Sequence, residues 1–177
     1  MPLSNNDVNL NNKVESEQNS KRFAFEIVGA CEDSFAFPVL PSGPLDEISV
    51  DWKKLGLINS SGIARWLRWV HDVRTSQPGV LFTFHHCPTF LVHIINSVNG
   101  FLPKGGQVRS FDVPFIRNGN DLDVEEIATV TLGANGPHPS SIDEIAVMVS
   151  TSERKNETEI IELDTLPSYF NFLFHRK

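Results

Sequence analysis

Apolar positions along this chain fall into short runs with two different periods. From Phe23 to Val28 the rings and Ile27 alternate with Ala24, Glu26 and Val28, the period of a half-buried strand. A second apolar run, Ser34 to Leu40, closes at Pro38 and the turn cluster Pro41-Ser42-Gly43-Pro44, and Glu47 to Trp52 gives a third strand. The period then lengthens. Ile63, Trp66, Leu67 and Val70 stand at i, i+3, i+4 and i+7, which predicts a helix from Gly62 to about Arg74. Val80 to Phe84 is almost wholly apolar, as in a strand covered on both faces. Pro88 opens a second helix with Phe90, Leu91, Ile94, Ile95 and Val98 as its stripe, and Asn99-Gly100 ends it. Gln107 to Ile116 reads as a further strand. The order of strands, then helix, strand, helix and strand predicts an α/β fold, a mixed β-sheet with crossover helices.

Beyond Asn118 the pattern weakens. Val124 to Leu132 alternates loosely, and Ile145 to Val149 and Ile160 to Leu163 read as strands about a polar, hairpin-like stretch from Ser150 to Thr158. Leu166 to Phe174 is an aromatic terminal helix that should dock back on the protein. Residues 1–20 are rich in Asn, Ser and Glu and read as a disordered tail. The expected organisation is a 1–20 tail, a 21–117 domain and a small 118–177 β-rich extension ending in a short aromatic helix.

Charge sharpens that division. Residues 118–177 carry 11 acidic and 4 basic side chains, which accounts for the whole formal charge of -7. An acidic surface of this kind argues against nucleic acid as a partner. The polar start lacks the apolar stretch of a signal peptide, and no run is long and apolar enough to span a bilayer, so a cytoplasmic protein without membrane insertion is expected. Cys31 and Cys87 are read as two thiols in a reducing compartment.

The chemistry worth weighing sits in Leu57-Ile58-Asn59-Ser60-Ser61-Gly62-Ile63, where a strand should meet the first helix. Asn59 or Ser60 can cap the helix, and its first-turn N–H groups and dipole favour an anion such as a phosphate carried by a serine. Two readings of Ser60 and Ser61 follow: a phosphoacceptor, or a helix cap alone. Arg65 and Arg68 suit a partner or phosphate site, or a solvated helix face. Trp69 suits an interface anchor, whereas Trp66 reads as core. His85, His86, Cys87 and His93 invite a metal, but adjacent strand residues point apart and cannot easily share one ion. Cys87 at a helix start has no ordered base beside it in sequence. No acid pair, phosphate-binding loop, nucleophile elbow or metal quartet appears, so neither catalysis nor a cofactor is expected.

The span from Phe23 to about Arg117 resembles the STAS domain of sulfate transporters and anti-sigma factor antagonists. The likeness rests on the element order and on Asn59-Ser60-Ser61-Gly62-Ile63, where the family carries an acid, then Ser, then Ser or Thr, then Gly. A bacterial subgroup is similar at Ile58 to Trp66, Cys87-Pro88-Thr89-Phe90, Phe101-Leu102, Val113-Pro114-Phe115-Ile116 and Glu162 to Leu173. That subgroup often adds a zinc ribbon. Here residues 118–177 hold no cysteine and only His138 and His175, so a cysteine-free, metal-free ribbon shape is expected. Asn59 stands in place of the usual acid.

The resemblance implies a regulatory, non-enzymatic protein-binding module, controlled by phosphorylation at Ser60 with Ser61 as second choice. Asn59, Ser61, Gly62, Ile63, Arg65 and Trp69 would form the partner surface, and an anti-sigma or serine-kinase-like regulator would be the partner. A non-phosphorylated binding subunit of a transport or signalling assembly, and a small-ligand or nucleotide sensor, are the alternatives. A homodimer through an edge strand also stays open.

Overall fold

The computed structural model describes residues 12–17, 20–118, 123–133, 138–154 and 160–174. It divides into two compact units, Met1–Thr83 and Phe84–Lys177. The division therefore falls inside a strand and well before residue 117, where composition had suggested a boundary.

In the first unit, β1 (Asn12–Glu17) turns back antiparallel onto β2 (Ser20–Cys31), and β2 runs parallel to β3 (Glu47–Ile58). α1 (Ser60–Ser76) follows at once and leads to β4 (Leu81–His85), giving the order β1-β2-β3-β4. Phe23, Phe25 and Ile27 are buried as their alternation requires. β3 is six residues longer than its apolar run, because Lys53 to Ile58 keep pairing with β2 through two register shifts. Gly29, at φ 80, sits at the second shift, where a left-handed backbone is needed.

Two expectations fail here, for different reasons. Asn12–Glu17 belong to a strand, not to a disordered tail; their polar pattern gave no burial signal, and the backbone groups along the edge of β2 supply the pairing instead. The Ser34–Leu40 run is not a strand. Residues 32–46 cross from β2 to parallel β3 without a helix, and Phe35, Pro38 and Leu45 are buried as packing anchors.

Those anchors meet an aromatic cluster. Trp66 is fully buried, with ring centroids 5.2 Å from Trp52, 5.3 Å from Trp69, 5.4 Å from Phe37 and 6.3 Å from Phe82. Phe37 therefore reaches α1 from the crossing loop. Thr83 Oγ1 donates to Glu47 Oε1 at 2.5 Å, a polar tie between β4 and β3.

In the second unit the end of β4 lies beside the two-residue β5 (Gln107–Val108), with Arg109 N donating to Phe84 O at 2.7 Å. β6 (Ser110–Asn118) then becomes the centre of a separate antiparallel sheet, β7-β6-β8, with β7 (Asp123–Thr131) and β8 (Ile160–Leu163). The single strand expected over Gln107–Ile116 is thus two strands in two sheets, broken at Arg109. His86 adopts φ 51 just after β4, and its N–H donates to Ser110 Oγ at 2.7 Å. Histidine is among the residues that tolerate this region, and the turn lets Cys87 bridge Phe111 on β6.

α2 (Thr89–Ser97) has Pro88 as its cap residue, and it buries Leu91, Val92 and Ile95. Phe90 is 38% exposed, so the buried stripe is turned relative to the expected one.

Ile145–Val149 is not a strand but the middle of α3 (Ile142–Glu153). Ser141 Oγ accepts from Glu144 N, and the Glu144 carboxylate accepts from Ser140 N at 2.7 Å and Ser140 Oγ at 2.8 Å. This reciprocal start, with Asp143 and Glu144 in the first turn, overrides the β-branched content. Ile145 and Val149, four apart, are the buried face. The hairpin expected at Ser150–Thr158 is helix up to Glu153; 155–159 lie outside the described residues.

In place of one aromatic helix over Leu166–Phe174, the last described residues form a 3₁₀ turn (Pro167–Phe170) and α4 (Asn171–Phe174), which dock within their own unit. Tyr169 Oη donates to Asp112 O at 2.6 Å, while Asn96 of α2 donates to Tyr169 O and accepts from Phe172 N. Phe172 meets Phe111 edge-on at 5.0 Å. Arg117 is buried and forks onto Glu126, Nε to Oε1 at 3.1 Å and Nη2 to Oε2 at 2.9 Å. Its Nη1 donates to Glu153 O at the end of α3.

Truncating Trp66 to alanine should remove the ring shared by β3, α1, β4 and the crossing loop. The expected loss is about 3–5 kcal/mol of unfolding free energy, read from the midpoint shift in urea denaturation.

Candidate functional site: the start of the first helix

The tip of α1 is built by the strand that leads into it. Asn59 directly follows β3, and its side chain accepts from Gly62 N at 2.9 Å. Asn59 is the cap residue, so neither Ser60 nor Ser61 has that task. Asn59 N also donates to Cys31 O at 3.3 Å, pinning the junction to the end of β2.

Gly62 is buried against that same carbonyl: a Cβ here would fall on Cys31 O and within 2.7 Å of Cys31 C. No side chain fits without moving backbone, which is the physical need for glycine at this position. Ile63 is half-buried, and its N–H donates to Asn59 O at 2.9 Å.

Ser60 is exposed in the first helical turn, and Ser61 is half-buried. No acidic residue occupies that turn, so the positive end of the helix dipole meets no carboxylate of its own. Ser60, Ala64, Arg68 and His71 are all exposed and lie along one side of α1, with Leu57 exposed just before it.

Arg65 and Trp69, expected on a partner surface, also bind within their own unit. Arg65 Nε donates to Phe35 O at 2.9 Å and Trp69 Nε1 to Pro38 O at 3.0 Å. Gln77 Oε1 accepts from Leu45 N at 2.6 Å and its Nε2 donates to Gly43 O at 3.2 Å. Three side chains from α1 and its C-terminal end thus bind the backbone of the 32–46 crossing. Sequence reasoning missed this clasp, because its partners in the crossing lie about thirty residues upstream; the aromatic run Phe35-Ala36-Phe37-Pro38 was the available signal.

Cys31 is fully buried, and burial pushes its thiol from 9.0 up to about 12, with the nearby Arg65 cation pulling the other way. The group is a neutral packing element at physiological pH. Cys87 is likewise buried.

The His85–His86 ring centroids stand 6.4 Å apart, and no cluster of three or more His, Cys, Asp or Glu among the described residues could hold a metal. A cavity of about 780 Å³ lies between the end of α2, the 102–106 loop and α4, so it does not involve Asn59–Ile63. No helix among the described residues is long and apolar enough to cross a membrane. Compared with family models, with curated proteins and with solved structures, the chain gives no match in any of the three.

Two outcomes follow from this geometry. Asn59→Ala should cost about 0.5–2 kcal/mol by removing the cap, while Ser60→Ala should stay within about 0.5 kcal/mol; paired denaturation curves check both. The second concerns pH. The folded state holds the Cys31 proton more tightly than the unfolded chain, so this contribution is complete below pH 9.0 and fades as pH climbs toward about 12. Denaturation midpoints across that range should fall less steeply in Cys31→Ala than in the parent.

Proposed function

We propose that the protein is a regulatory, non-enzymatic protein-binding module of the STAS type, switched by phosphorylation of Ser60. The single observation that carries the reading is the division of labour at the helix tip. Asn59 caps α1, which leaves the Ser60 hydroxyl exposed in a first turn that has no acid of its own.

A phosphate there adds about -1.5 to -2 charges. The helix dipole and first-turn N–H groups stabilise that charge, so the fold tolerates it. A partner surface seated flat on the tip has to accept the same charge without those donors. The modification then releases the partner and leaves the domain intact.

The partner face consists of Ser60, Ala64, Arg68 and His71 with Leu57 at its edge, all exposed. Asn59 caps the helix that carries this face, and Arg65 and Trp69 tie that helix to the 32–46 crossing. The partner is an anti-sigma or serine-kinase-like regulator, as the resemblance implies. Without phosphorylation, the same face would make the protein a constant subunit of an assembly.

Mass analysis of the protein from its own cells, with phosphopeptide mapping, should place a phosphate on Ser60. Co-purified partners should be lost from Ser60→Glu by about tenfold or more and retained by Ser60→Ala. Equal recovery with both variants would sink the switch, and unmodified protein across growth conditions would sink phosphorylation.

A further inference from the structure

The outer face of the β7-β6-β8 sheet carries two of the exposed large apolar side chains, Ile127 and Ile160, with Pro114 and Ile116 half-buried between them. Alternation along β6 sends Phe111, Val113, Phe115 and Arg117 into their unit, and Asp112, Pro114, Ile116 and Asn118 the other way. The register brings outward partners beside them. Pro114 pairs with Ile127, Ile116 stands between Glu125 and Glu162, and Asn118 lies between Asp123 and Ile160.

The apolar members form a diagonal. It runs from Ile127 and Pro114 through Ile116 to Ile160, crossing all three strands. Ile127 is 63% exposed and Ile160 57%, far from the burial such side chains prefer. Acids lie on both sides of the diagonal, Glu125 and Asp123 on one flank and Glu162 and Asp112 on the other. Among the described residues that point outward here, none is Lys or Arg. Arg117, on β6 itself, faces inward and is held by Glu126.

The length of the diagonal is informative. It spans two strand spacings of about 4.8 Å and four residues of about 3.4 Å, roughly 17 Å in all. Three turns of α-helix cover about 16 Å.

The geometry points to a docking site for an amphipathic helix of a partner protein, about three turns long, with one apolar stripe flanked by Lys or Arg. The stripe lies on Ile127, Pro114, Ile116 and Ile160, and the basic flanks meet Glu125, Asp123 and Glu162. A second copy of this chain fits poorly, because self-docking would set the same carboxylates against each other. The inference concerns the second unit and does not depend on the Ser60 reading.

The test uses the full-length protein and two synthetic helical peptides with identical leucine stripes, one flanked by lysine and the other by glutamate. Calorimetry should show binding of the lysine peptide, weakened by salt, and none of the glutamate peptide. Glu125→Lys with Glu162→Lys should weaken the lysine peptide by about tenfold or more and let the glutamate peptide bind. Ile127→Ser with Ile160→Ser should weaken binding similarly while the thermal melt stays unchanged, since both side chains are more than half exposed.

The proposal is overturned if neither peptide binds, or if the lysine peptide binds all variants alike. It is also overturned if sedimentation shows the parent self-associating and the double serine variant monomeric, because a second copy would then be the occupant.

Discussion

The close approach of α1 to the end of β2 is the constraint on which the first unit depends. The helix can start where it does only because position 62 has no side chain to collide with Cys31 O. That approach sets Trp66 between Trp52 and Phe82. It also holds Arg65 and Trp69 where they reach the crossing loop. The loop has no secondary structure to satisfy its own backbone, so α1 supplies donors that a crossover helix would have made unnecessary. One carbonyl contact thus fixes the helix, the cluster beneath it and the segment beside it.

The second unit depends on a different tie. Arg117 is a cation taken out of water, which is tolerable only because Glu126 receives two of its N–H groups and Glu153 O a third. Those bonds join β6, β7 and the end of α3. At the other end of β6, the chain terminus closes over Phe111 with Phe170 and Phe172. Tyr169, Phe170 and Phe172 are thereby accounted for as core.

Much of this was legible in the residues, and the failures have physical causes. β2, α1 and β8 follow from periodicity alone. Of the two caps the sequence offered at the helix tip, Asn59 and Ser60, it is Asn59 that accepts from Gly62 N. The strand reading of Ile145–Val149 failed because a short apolar run fits either period, and the Ser141 and Glu144 cap is what decides for the helix. β1 had no signal to find, since backbone pairing to an edge carries no side-chain pattern. The bonds of Arg65 and Trp69 to the crossing loop were hidden because their acceptors, Phe35 O and Pro38 O, come opposite α1 only through tertiary structure. The break at Arg109 was masked for a similar reason: β5 and β6 are contiguous in sequence and diverge only through the sheets they join.

The placement of the two cysteines has a practical side. Cys31 and Cys87 are both fully buried, one in each unit, and no disulfide joins them. A thiol reagent can reach either sulfur only after its surroundings open, so each unit carries its own built-in opening clock. Mass spectrometry after a brief labelling pulse would resolve the two clocks on separate peptides. The fold therefore supplies, without any engineering, a way to ask whether the two units breathe together or in turn.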